Sequence, residues 1–122
     1  MEPTLMLKTA LALLTITALG GATMAGIRFA RNANPPAWLA MLHGLLAGAA
    51  LTLLLYAYFT VGLPVYACWA LVLFMAAAAG GAFLNLAYHQ KLQPIPKAIV
   101  LLHAGLAVAG YVLMLMAVFA PK

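Results

Sequence analysis

The chain has 122 residues, of which 68% are hydrophobic and 6% charged, with six Lys and Arg, one acidic residue and a net charge of +5. A soluble domain of this size needs far more polar surface, so the composition excludes a water-soluble globule and describes a membrane protein whose first partner is the lipid bilayer. The basic residues lie near the ends of apolar runs, which excludes a nucleic-acid patch, and the single cysteine, Cys68, excludes an intrachain disulfide or a cysteine-ligated metal centre.

Four apolar runs follow one another at about residues 8–31, 36–60, 65–90 and 96–120. Each is about 23–26 residues long, or about 35–39 Å of helix, enough to cross a bilayer with some tilt. Asn32, Asn34, Pro35 and Pro36 break the first run from the second. Gly62 and Pro64 break the second from the third, and Pro94 and Pro96 the third from the fourth. Pro36 and Pro96 suit the first turn of the helices they open, where a missing N–H costs nothing. Such short connections return each helix beside its predecessor. The first run could be mistaken for a secretory signal, but its match to the third and its weakly charged start predict that it is retained.

The chain repeats itself at an offset of 60: Gly20, Gly21, Pro36, Leu42, His43 and Ala47 recur as Gly80, Gly81, Pro96, Leu102, His103 and Ala107. The repeats cover about residues 8–60 and 65–120 of a single membrane domain. Two spans per repeat point both halves the same way, related by a pseudo-twofold axis along the membrane normal. The expected fold is therefore all-α: an integral membrane four-helix up-down-up-down bundle made of two parallel-oriented two-helix repeats. Arg28 and Arg31 flank the first connection, Lys91 and Lys97 the third, and Lys8 and Lys122 lie at the other face. Four basic residues against two predict cytoplasmic first and third loops, with both termini on the non-cytoplasmic side.

Apart from Lys97 at the start of the fourth run, His43 and His103 are the only strongly polar side chains in their runs, one to two turns past their prolines. In the expected bundle they share one depth on diagonal helices about 11–14 Å apart, given about 8–10 Å between neighbours. Two imidazoles reaching across that gap leave room for one metal centre, and a haem b iron with two axial histidines fits. A flat porphyrin needs small residues where it crosses helices, and Ala47, Ala50, Ala107 and Gly110 share the histidine faces, with Gly21 and Gly81 at similar depth. Arg28, Arg31, Lys91 and Lys97 are placed to meet haem propionates. Small residues also serve close helix packing, and Gly44 and Gly48 form a G-x-x-x-G. His89 is expected at the interface, against headgroups or near a propionate or quinone site. Asn85 is level with the histidines, and Trp38, Tyr66 and Trp69 read as an aromatic belt.

Leu42-His43-Gly44 and Leu102-His103-Ala104 in this architecture resemble the bis-histidine four-helix bundles of membrane b-type cytochromes. Those bundles often carry two histidines on each of two helices and hold two haems; one histidine per helix here allows one. The chain is also similar to small bacterial four-span proteins with a repeated Leu-His motif, which implies the bacterial inner (cytoplasmic) membrane. The resemblance implies electron transfer, with a quinone or redox protein as partner. No catalytic constellation is present, so an enzyme role would be that of a cytochrome subunit in an oxidoreductase. A homo-dimer and a place in a larger complex both stay open. So do a cofactor-free structural or assembly subunit and a small transporter; the usual proton coupling of such exporters needs an embedded carboxylate, whereas the sole acidic residue is Glu2.

Overall fold

The computed structural model describes residues 2–120, so Lys122 of the expected charge balance lies outside the described residues. Four helices make a bundle: α1 (Pro3–Ala30), α2 (Ala37–Thr60), α3 (Val65–Leu84) and α4 (Lys97–Phe119), with a π-helical turn over Asn85–His89 continuing α3. Each is long and apolar enough to cross a membrane.

The ends follow from local chemistry. α1 begins at Pro3, earlier than hydropathy suggests, because the Glu2 carboxylate accepts from the amides of Thr4 (2.9 Å) and Leu5 (3.0 Å) and Pro3 fits the first position. Pro36, Pro64 and Pro96 stand one place outside the first turn, as extended N-caps. Their carbonyls accept the first helical amides, from Ala40, Cys68 and Val100. α2 stops where Gly62, at φ +81°, lets its amide turn back to the Ala57 carbonyl (2.9 Å). The other two connections both reverse through a left-handed residue, Asn32 (φ 49°) and Leu92 (φ 56°), at matching places in the repeat. Asparagine tolerates this conformation; leucine adopts it against steric resistance.

α1 packs along α2 and α3 along α4, and the two pairs meet through α1–α4 and α2–α3 contacts. The buried core draws on the first halves of α1 and α3 and the second halves of α2 and α4. It is itself repeated: Ala10, Leu11, Leu14 and Leu54 recur as Ala70, Leu71, Phe74 and Met114, all buried. A hydrogen bond of 2.7 Å between the hydroxyls of Thr15 and Tyr111 ties α1 to α4. Around and beyond the histidines the buried apolar residues thin to Ala77, Leu84 and Ile95.

Candidate functional site

The histidines come together from α2 and α4 with ring centroids 6.1 Å apart and ring planes at 69°. Each is held by the preceding helix of its own pair. The Nδ1 of His43 lies 2.9 Å from the Thr17 carbonyl, and that of His103 lies 2.7 Å from the Ala77 carbonyl. A carbonyl can only accept, so Nδ1 carries the proton in both rings, and the lone pair left in the neutral imidazole is on Nε2. The glycine doublets make this geometry possible. A Cβ on Gly21 would sit 3.0 Å from His43 Cε1, and one on Gly81 would sit 3.0 Å from His103 Cε1. Gly20 and Gly80 are looser, with nothing nearer than 4.0 and 3.9 Å. The missing side chains of Gly21 and Gly81 thus leave room for the histidine rings.

Two rings sharing one ion end-on through metal–imidazole bonds of about 2.0–2.1 Å would have centroids about 6 Å apart; these two have that separation and meet edge to face. Among the described residues no group of three or more His, Cys, Asp or Glu gathers to hold an ion. Two imidazoles alone undersupply a bare ion that wants four ligands. The Nδ1–carbonyl bonds fix the tautomer and orientation of both rings.

The other expected site residues divide. Ala47 and Ala107 are half-buried on the histidine helices. Ala50 and Gly110 belong to the packed core: Ala50 is fully buried, and a Cβ on Gly110 would lie 2.9 Å from Phe74 Cε1. Gly110 therefore makes room for Phe74. Arg31, Lys91 and Lys97 are exposed, with the Lys97 ammonium 5.6 Å from the Phe29 ring centre. Arg28 instead folds inward, its Nε donating to the Ile95 carbonyl (2.7 Å) and Nη1 to Asn32 Oδ1 (2.9 Å).

Arg28 joins a polar clasp between the two connections. Asn34 donates from Nδ2 to the Gln93 carbonyl (2.7 Å) and accepts at Oδ1 from the Ile95 amide (3.0 Å). His89 Nε2 donates to the Pro35 carbonyl (2.8 Å). His89 therefore binds backbone across the clasp. Asn85 Oδ1 accepts from Gln90 (2.8 Å) and not from a histidine. Sequence reasoning missed the carbonyls of Thr17 and Ala77, which carry no side-chain signature, and the pairing role of Asn34. The one available signal was the glycine doublet recurring three to four residues after each carbonyl.

The chain matches no protein-family model, no curated protein and no solved structure. The class is thus defined by fold and site alone: a four-helix bundle of membrane-length apolar helices with a symmetric histidine pair inside it.

Proposed function

We propose that the chain is an integral membrane electron-transfer protein binding one b-type haem between α2 and α4, with His43 and His103 as axial ligands. The observation that carries this is the pair itself: two imidazoles 6.1 Å apart, both Nδ1 atoms engaged by carbonyls and both Nε2 lone pairs left for a ligand. Bound haem supplies a one-electron couple; the protein holds the imidazoles, sets their tautomer and keeps carboxylates away from them.

Membrane insertion is supported by large apolar side chains on the outer surface, such as Leu45 (67% exposed) and Phe59 (79% exposed), where a soluble bundle would carry charge. An up-down-up-down course is supported by a core that alternates between first and second helix halves. Parallel repeats are supported by the two histidine–carbonyl bonds, each spanning 26 residues. With Arg28, Arg31, Lys91 and Lys97 cytoplasmic, the haem lies nearer that face of a bacterial inner membrane, and the electron partner is a quinone or a redox protein.

The second reading is a cofactor-free assembly subunit, favoured by the fact that each Nδ1 is already bonded within its own helix pair. It leaves both Nε2 atoms without a task. The test is the absorption spectrum of protein purified in detergent, oxidised and then reduced. A Soret band with sharp α and β bands at one haem per chain is expected, lost in His43→Ala and in His103→Ala. A colourless protein after expression with haem supplied overturns the proposal.

A further inference from the structure

Arg28 is the only buried charged side chain among the described residues, at 8% exposure. Both acceptors it meets, the Ile95 carbonyl and Asn32 Oδ1, are neutral. The one acidic side chain in the sequence, Glu2, caps the opposite end of α1. No side chain in this sequence is therefore placed to neutralise that guanidinium, although a buried charge needs a counter-charge to offset its desolvation. The carbonyls ending α1 contribute only a fractional negative charge, about half a unit.

The guanidinium also keeps donors in hand. Of its five N–H groups, two are accounted for by these bonds. No buried side-chain nitrogen among the described residues lacks a partner, so Nη2, for which the structure gives none, reaches the surface. It does so at the clasp end of the bundle, where Arg31 and Lys91 are exposed on the two connections.

We infer that Arg28 anchors an oxyanion-binding site, its free edge taking a carboxylate or a phosphate group that this chain does not itself provide. Two sources carry that chemistry: an acidic phospholipid headgroup, or a propionate of the haem proposed above. A planar guanidinium suits either, because two parallel N–H groups match two oxygens. Basic pockets between membrane helices on the cytoplasmic side recognise acidic headgroups in the same way. The burial of Arg28 and its lack of a counter-charge hold whether or not haem binds.

The full chain is placed in nanodiscs of mixed phosphatidylcholine and phosphatidylglycerol, and lipids retained after release are counted by native mass spectrometry. Haem b and its dimethyl ester, which lacks the propionate charge, are compared by spectral titration. Arg28→Gln keeps a neutral donor for the Ile95 carbonyl, and Arg28→Lys keeps the charge without the fork. An acid-over-neutral preference of about tenfold or more is expected in one of the two comparisons, falling to near parity in Arg28→Gln. Preference for phosphatidylglycerol identifies a lipid site; preference for free-acid haem identifies a propionate site. No preference in the wild type, or one unchanged in Arg28→Gln and attributable to Arg31 and Lys91, overturns the inference. If Arg28→Gln does not fold, the same comparison in Arg28→Lys decides: an undiminished preference there removes the guanidinium. A colourless protein ends the haem proposal and leaves the lipid comparison intact.

Discussion

Alanine at Gly21 and alanine at Gly20 should act in opposite directions, although the residues are neighbours in one helix. Either change favours helix by about 0.8–1 kcal/mol. At Gly20 a methyl group meets only His43 Nδ1, at 4.0 Å, so the gain should survive. At Gly21 the methyl carbon lies 3.0 Å from His43 Cε1 and 3.5 Å from Nδ1. Carbon pairs rest at about 3.5–4.0 Å, so the ring must retreat about 0.5–1 Å. That retreat stretches the 2.9 Å bond to the Thr17 carbonyl to the limit of a hydrogen bond or past it. Overpacking costs about 1–3 kcal/mol and an interhelical hydrogen bond in a membrane about 0.6–1.7 kcal/mol. Less the helix gain, Gly21→Ala should destabilise by about 1–4 kcal/mol, while Gly20→Ala stabilises by up to about 1 kcal/mol. Gly81→Ala and Gly80→Ala should repeat the contrast, since Gly81 has the same 3.0 Å approach to His103. The assay is reversible unfolding in mixed micelles by dodecyl sulfate titration, with imidazole ¹⁵N shifts reporting the Nδ1–H tautomer. Equal stabilities for Gly20→Ala and Gly21→Ala, with unchanged ring shifts, would refute the reasoning.

Gly110→Ala should cost about 1–3 kcal/mol before the helix gain is subtracted, because its methyl group would meet three Phe74 ring carbons at 2.9–3.1 Å. Gly105→Ala, with nothing within 4 Å, is the control in the same titration, and equal behaviour would remove the Phe74 contact as the cause. Asn34→Ala removes both its bonds to Gln93 and Ile95, which should destabilise by about 1–3 kcal/mol and raise amide exchange at Ile95; unchanged exchange there would argue against the clasp. The Thr4 and Leu5 amides, Thr4 foremost, hold the Glu2 carboxyl below the usual glutamate range. A group whose pKa is lowered by folding contributes fully above its unfolded value and loses that contribution as pH falls through the folded one. Amide exchange at Thr4 and Leu5 should therefore quicken on acidification below the usual glutamate range, beyond the intrinsic pH effect, and Glu2→Gln should abolish that excess.

The number of helices and the position of each break were written in the sequence, because an apolar run with proline, glycine or asparagine at its ends leaves the backbone no alternative but helix and stop; the start of α1 at Pro3 and the π-helical turn after α3 were not. The repeat of residues was visible in the sequence; that Asn32 and Leu92, unlike as residues, both turn left-handed at corresponding positions was not. The histidines stood out too, as polar side chains that an apolar segment must satisfy somehow. Where they find that satisfaction was not legible. The acceptors are the carbonyls of Thr17 and Ala77, backbone atoms that every residue owns, and only the packing of α1 on α2 and of α3 on α4 selects them. Packing also separated small residues that look alike in sequence. Gly21 admits a histidine, Gly110 admits Phe74, and Gly44 and Gly48 meet nothing within 4 Å. Among the four expected cations, tertiary structure alone turned Arg28 inward and left Arg31, Lys91 and Lys97 exposed. Local sequence fixes where a helix begins and ends because those costs are paid by nearby backbone groups. What a side chain meets depends on which distant helix lies across from it, and that is set only when the helices pack.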